Sequence, residues 1–240
     1  MNQQIFLDKE YFDGYLWIIA NSRSGHNFIK SNIESWFGDR YFYVNLEGED
    51  PQNFLKHETA NGISSETYSL SLKVVCIRDL LNWYASSAFI FMNDKENLET
   101  FGGLASQKHI INAKKATEVW LKIAKEFLGV TNYMNDSVGI YYDEFFFSRE
   151  YRKSICNKLG GEYNEKMLNF VTWSSFDGGN FQDRTQEMKV LERYKIWDET
   201  NEHRHILKIL KDHEALEFYL DNFEVNDDKK RFIDKWIISN

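Results

Sequence analysis

Leu16-Trp17-Ile18-Ile19-Ala20-Asn21-Ser22-Arg23-Ser24-Gly25-His26-Asn27-Phe28 joins an apolar run to a short polar turn. The first five residues, continuous and rich in β-branched and aromatic side chains, predict a buried strand. After the turn, Ile29, Ile33, Trp36 and Phe37 recur at i, i+4, i+7 and i+8, the spacing of an amphipathic helix. A strand, a tight turn and a helix N-terminus together gather backbone N–H groups and the positive end of the helix at one spot. Gly25 permits close approach and Arg23 adds a full charge, so a phosphate is the natural guest. The loop is not a Walker A motif, because GxxxxGK(S/T) is absent. The competing reading of the same string is an ordinary strand-to-helix turn with a surface arginine.

Outward from this segment, Tyr41 to Leu46, Leu72 to Ile77 and Val138 to Tyr142 also read as buried strands. Trp120, Ile123, Ala124, Phe127 and Leu128 mark a further amphipathic helix, which Gly129 stops. Helices are expected across Arg149 to Leu159, Glu165 to Val171, His203 to Leu220 and Asp227 to Ile237. Pro51 is the only proline, and neither a Gly/Ser-rich linker nor an internal repeat divides the chain. The expectation is an α/β fold: a single three-layer domain spanning residues 1–240, with a central, mainly parallel sheet that binds ligands at the C-terminal ends of its strands.

Composition narrows the function classes. The 240 residues carry a formal net charge of −8, so there is no overall cationic field to hold a nucleic-acid backbone, and no nucleic-acid partner is expected. Cys76 and Cys156 lie in apolar patterns without CxxC or Cys/His spacing, which suggests neither a disulfide nor a zinc site. Met1 to Glu10 lacks the basic-then-apolar pattern of a signal peptide, and no run approaches a membrane span. A cytoplasmic protein is the expectation.

A second candidate phosphate site follows the strand ending at Ile77. Arg78 lies at the strand's C-terminal end and Ser86 comes eight residues later, so a guanidinium and a hydroxyl could converge on one phosphate if the segment curls back. A capping Asp79 beside a surface arginine is the alternative.

The two loops, in this order, resemble those of sulfotransferases that use 3′-phosphoadenosine 5′-phosphosulfate (PAPS). The first is similar to the family's K/R-S-G-T/S-T/S-F/W-L loop: Arg23, Ser24, Gly25 and Phe28 match, whereas His26 and Asn27 replace two hydroxyl residues that bond the 5′-phosphate. Both replacements can donate hydrogen bonds. The resemblance implies a P-loop-like sulfotransferase architecture in which Arg23 holds the sulfuryl group, Phe28 packs on adenine, and Arg78 with Ser86 binds the 3′-phosphate. Tyr142, in a segment resembling the family's Y-E-D-L, would sit near adenine; Ser175 and Phe176, in a segment resembling T-S-F, would contact the base. Each of these aromatics also has a plain core-packing reading. Arg193-Tyr194-Lys195-Ile196-Trp197 lacks the glycines of the family's basic C-terminal cofactor loop and is left unassigned.

Such an enzyme would move a sulfuryl group to a hydroxyl or amine of a small-molecule or glycan acceptor, releasing PAP, with no metal required. The acceptor proton needs a base, expected between the two phosphate loops. Glu34, Glu47, Glu49, Asp50, His57 and Glu58 are the candidates there. His57 precedes Arg78 by the family's spacing for a catalytic histidine, and Glu47 resembles the glutamate of glycan-modifying relatives. Residues 88–107 are a candidate acceptor wall. A nucleotide or small-molecule kinase and a non-catalytic nucleotide-binding protein are the rival readings.

Overall fold

Alternation along β1 (Gly14–Ala20) sets the layers: Leu16, Ile18 and Ala20 turn to one face, Trp17 and Ile19 to the other, and all five are buried. Burial on both faces is what an inner strand of a parallel sheet requires. The computed structural model describes residues 14–21, 24–38, 41–47, 50–53, 71–92, 102–166, 191–199 and 204–239. Among these, β2 (Tyr41–Glu47), β3 (Leu72–Ile77) and β4 (Val138–Tyr141) join β1 in the order β2-β1-β3-β4, every neighbouring pair parallel. Ala20 stands between Glu47 and Cys76 in the register. The chain thus leaves β1 toward β2 on one side and returns as β3 on the other, so the switch point, where open parallel sheets place their ligand crevice, lies between the C-terminal ends of β1 and β3.

Helices cover both faces. On one side α1 (His26–Phe37), α4 (Tyr142–Phe147) and α5 (Arg149–Leu159) bury Ile29, Ile33, Trp36, Phe145 and Ile155 against the even-numbered residues of β1. On the other, α2 (Leu80–Met92) and α3 (Gly102–Phe127) pack with the C-terminal α6 (Ile196–Glu199), α7 (Leu207–Lys211), α8 (Glu214–Asn222) and α9 (Asp227–Ile233). No helix among the described residues is long and apolar enough to cross a membrane.

The expected strands and the α1 and α5 helices fall where the sequence places them, and Gly129 follows the end of α3 with φ 70°. Three details differ. Tyr142 opens α4 instead of ending β4, because the Tyr141 N–H donates to Tyr151 Oη and Asp143 and Glu144 supply the acidic first turn of a helix. The expected helix from His203 to Leu220 is interrupted at Asp212 and His213, where the His213 ring Nδ1 accepts from the Ala215 N–H and caps α8. Glu165 and Lys166 lie outside any helix: Glu165 instead accepts from Tyr163 and pairs with Arg149 and Arg152.

One buried acid fixes the connection from α3 to β4. Glu126 is 5% exposed; its Oε2 accepts from Thr131 Oγ1 and the Tyr133 N–H, and its Oε1 from the Met134 N–H. Glu126→Ala strips these donors of their acceptor and is expected to destabilise the fold by about 2 kcal/mol or more, read from urea unfolding.

Candidate functional site

Gly25 holds the end of the first loop in the left-handed region, with φ 84°, and serves as the N-cap of α1. It offers no side-chain cap, and the first turn of α1 has no acidic residue, so the positive helix end is left without a negative side-chain partner in that turn. The turn itself is closed by the Ser24 N–H donating to Asn21 O at 3.1 Å, with the Phe28 N–H donating to Gly25 O at 3.0 Å. Ser24 is buried beneath it, its oxygens facing Cys76 Sγ on β3. That thiol is pushed up to about 12 by burial and is inert.

The Tyr142 ring joins the two loops. A β-carbon built on Gly25 would lie 2.0 Å from Tyr142 Cε2, so the ring lies directly on the glycine. The Arg78 guanidinium carbon sits 5.1 Å from the centroid of the same ring, within cation–π range. Burial raises the Tyr142 hydroxyl to about 12, and the Arg78 and Arg193 charges act in the opposite direction. Arg78 is 5% exposed, so it is not a surface arginine. Gly25, Arg78 and Tyr142 therefore meet at the C-terminal ends of β1 and β3.

The peptide carrying Arg78 is clamped. Trp120 Nε1 donates to Arg78 O at 3.0 Å, and the Asp79 N–H donates to Asp143 Oδ2 at 2.8 Å. Asp79 Oδ1 accepts from the Asn82 N–H, so the capping role that its position allowed is real, at the start of α2. Asp79 Oδ2 accepts from Lys229, Tyr219 and Tyr141. Asn82 Nδ2 completes the cluster by donating to Asp143 Oδ1 and Leu191 O. Desolvation by burial, then the charge of Asp79, holds the Asp143 carboxyl above the usual range, with Arg78 pulling the other way.

The remaining sequence candidates divide. Ser86 is buried on α2, one turn past Asn82 on the same face; because the segment is helical from Leu80, it lies about 9 Å along the axis from the helix start. His26 is buried as the first residue of α1, Asn27 is half-buried, and its carbonyl accepts from Ser31 Oγ. Phe28 packs edge-on to Tyr142 and Phe145 and tilted to Phe146. Glu47 ends β2 opposite Ala20, at the crevice end of the sheet. Asp50 pairs with Lys122, and Glu34 with Lys30 one turn earlier on α1. Arg23, Glu49, His57, Glu58, Ser175 and Phe176 lie outside the described residues.

No motif or spacing in the sequence singles out Asn21. It is 4% exposed just after β1, and its Nδ2 has no hydrogen-bond partner among the described residues. A buried amide left so costs about 1–3 kcal/mol. Among the described residues, no group of three or more His, Cys, Asp or Glu side chains is placed to hold a metal ion. No protein-family model, curated protein or solved structure matches the chain.

The contact of Gly25 with Tyr142 is open to test. Gly25→Ala combines a left-handed backbone with a steric overlap and is expected to cost about 2 kcal/mol or more in urea unfolding. With Tyr142→Ala in the same chain, part of the loss should disappear; strictly additive costs would contradict the contact.

Proposed function

We propose that the chain is a PAPS-dependent sulfotransferase of P-loop-like architecture, with its nucleotide in the β1/β3 crevice. The observation that carries the reading is the meeting of an uncapped α1 N-terminus at Gly25 and the buried Arg78 guanidinium on one ring, Tyr142. Two anionic groups on one ligand suit two such positive centres, and the 5′ and 3′ groups of PAPS are of that kind. The order of the loops along the chain adds support, as does the buried Asn21 amide, a donor in place before the ligand arrives.

In this reading the 5′-phosphosulfate lies on the N-terminus of α1, and Arg23 steadies the bridging oxygen as its negative charge grows. Arg78 holds the 3′-phosphate, with Ser86 reaching the same group from the second turn of α2. Phe28 and Tyr142 border the adenine. The acceptor hydroxyl or amine, on a small molecule or glycan, attacks sulfur in line with the departing phosphate oxygen, and its proton passes to Glu47 or His57. Glu47 is favoured by one placement: β2 ends with it beside Ala20, next to the first loop.

Thermal stabilisation by PAP, ATP and ADP separates the readings. A ligand at 100 times its dissociation constant adds about 2.7 kcal/mol, and PAP is expected to stabilise most. Arg78→Ala should weaken PAP by roughly 10- to 100-fold while leaving adenosine 5′-phosphosulfate, which lacks the 3′-phosphate, nearly unchanged. Preference for ATP would overturn the proposal in favour of a kinase, and equal losses for both nucleotides would remove Arg78 from the 3′ site.

A further inference from the structure

One buried carboxylate, Asp79, and one half-buried, Asp143, stand beside the cation of the candidate site. Asp79 follows Arg78 in the chain and its side chain is 0% exposed; Asp143 accepts from the Asp79 N–H. Left alone, they would oppose any anion brought to Arg78, because solvent does not screen charges at that depth. The counter-charge comes from the far end of the chain. Lys229 Nζ, on α9, lies 2.6 Å from Asp79 Oδ2, with only 14% of its side chain exposed. Asn226 caps α9 at Lys229, and Phe232 packs against Tyr194 and Trp197, so the helix is anchored at both ends of the reach.

We propose that Lys229 is a positioning residue of the anion site: its ammonium offsets the Asp79 carboxylate, so that Arg78 meets a bound phosphate in a cluster of two cations and two carboxylates instead of one cation and two carboxylates. The inference rests on the anion-binding reading of the crevice. It makes the C-terminal helix part of the site without touching the ligand, and it has a pH signature that a purely structural lysine lacks. Facing the carboxylates are the cations Arg78 and Lys229, the phenols of Tyr141, Tyr142, Tyr194 and Tyr219, and the Cys76 thiol. The phenols and the thiol are all pushed upward by burial and stay neutral near neutral pH. Asp143 is already held up by burial and by Asp79, and Lys229 is one of the charges drawing it back. Without Lys229, Asp143 retains its proton to higher pH, and in acid that proton lessens the negative charge beside Arg78.

Calorimetric titration of PAP and of inorganic pyrophosphate into wild type, Lys229→Met, Lys229→Arg, Asp79→Asn and the Asp79→Asn/Lys229→Met double variant tests this. Each variant is compared with wild type at the same pH, which cancels titration of the ligand's phosphates. At about pH 8, Lys229→Met should bind PAP roughly tenfold or more weakly, and the ratio to wild type should move toward one as the pH is lowered. Lys229→Arg and the double variant should bind within about threefold of wild type, and Asp79→Asn as tightly as wild type or tighter. Wild-type affinity in Lys229→Met at every pH overturns the proposal, as does a pH-independent loss that the double variant does not recover. If Lys229→Met fails to fold, weaker binding by Asp79→Asn overturns it. Should wild type bind pyrophosphate but not PAP, the nucleotide assignment falls and the pyrophosphate series still decides the role of Lys229. Should it bind neither, both fall.

Discussion

The peptide between Arg78 and Asp79 is held from both sides, its carbonyl by the Trp120 indole and its N–H by the Asp143 carboxylate. Those two bonds tie the end of β3 to α3 on one face of the sheet and to the start of α4 on the other. The Asp79 side chain then caps α2 and receives Lys229 from α9. One buried dipeptide thus orients four helices, α2, α3, α4 and α9, and fixes where the Arg78 side chain leaves the sheet. Because its polar atoms are removed from water, each bond must be made for the fold to close, and this makes the arginine's position a property of the core and not of a loop.

Much of the layering was legible locally. The apolar runs at Leu16 to Ala20 and Leu72 to Ile77 have no polar alternation, which is how strands buried on both faces read, and the sheet contains both as inner strands. The i, i+4, i+7, i+8 spacing from Ile29 to Phe37 is local too, and so is the glycine stop after α3. Where local pattern met a side-chain device it gave way. The helix pattern running through His213 continues in hydrophobicity, but the imidazole accepts a backbone N–H and starts a new helix.

The site was half legible for a comparable reason. Ser24, Gly25 and Arg78 announce themselves by their place after a strand, and Gly25 meets the requirement for a left-handed residue at the head of α1. What surrounds Arg78 could not be read in the same way. Asp143, Tyr219 and Lys229 lie 64, 140 and 150 residues from Asp79 along the chain, and no spacing rule links residues so far apart. Tyr142 carried both an adenine reading and a core reading. The structure gives it a packing role against Gly25, and that same ring marks the wall the nucleotide would have to meet.

The most direct measurement is a crystal structure of the chain with PAP bound. The account predicts the 5′-phosphate on the backbone N–H groups heading α1 at Gly25 and the 3′-phosphate within hydrogen-bonding distance of the Arg78 guanidinium, with the Asp79–Lys229 pair intact behind it. Nucleotide bound away from the β1/β3 crevice, or seated there with the Arg78 guanidinium turned from both phosphates, would contradict it.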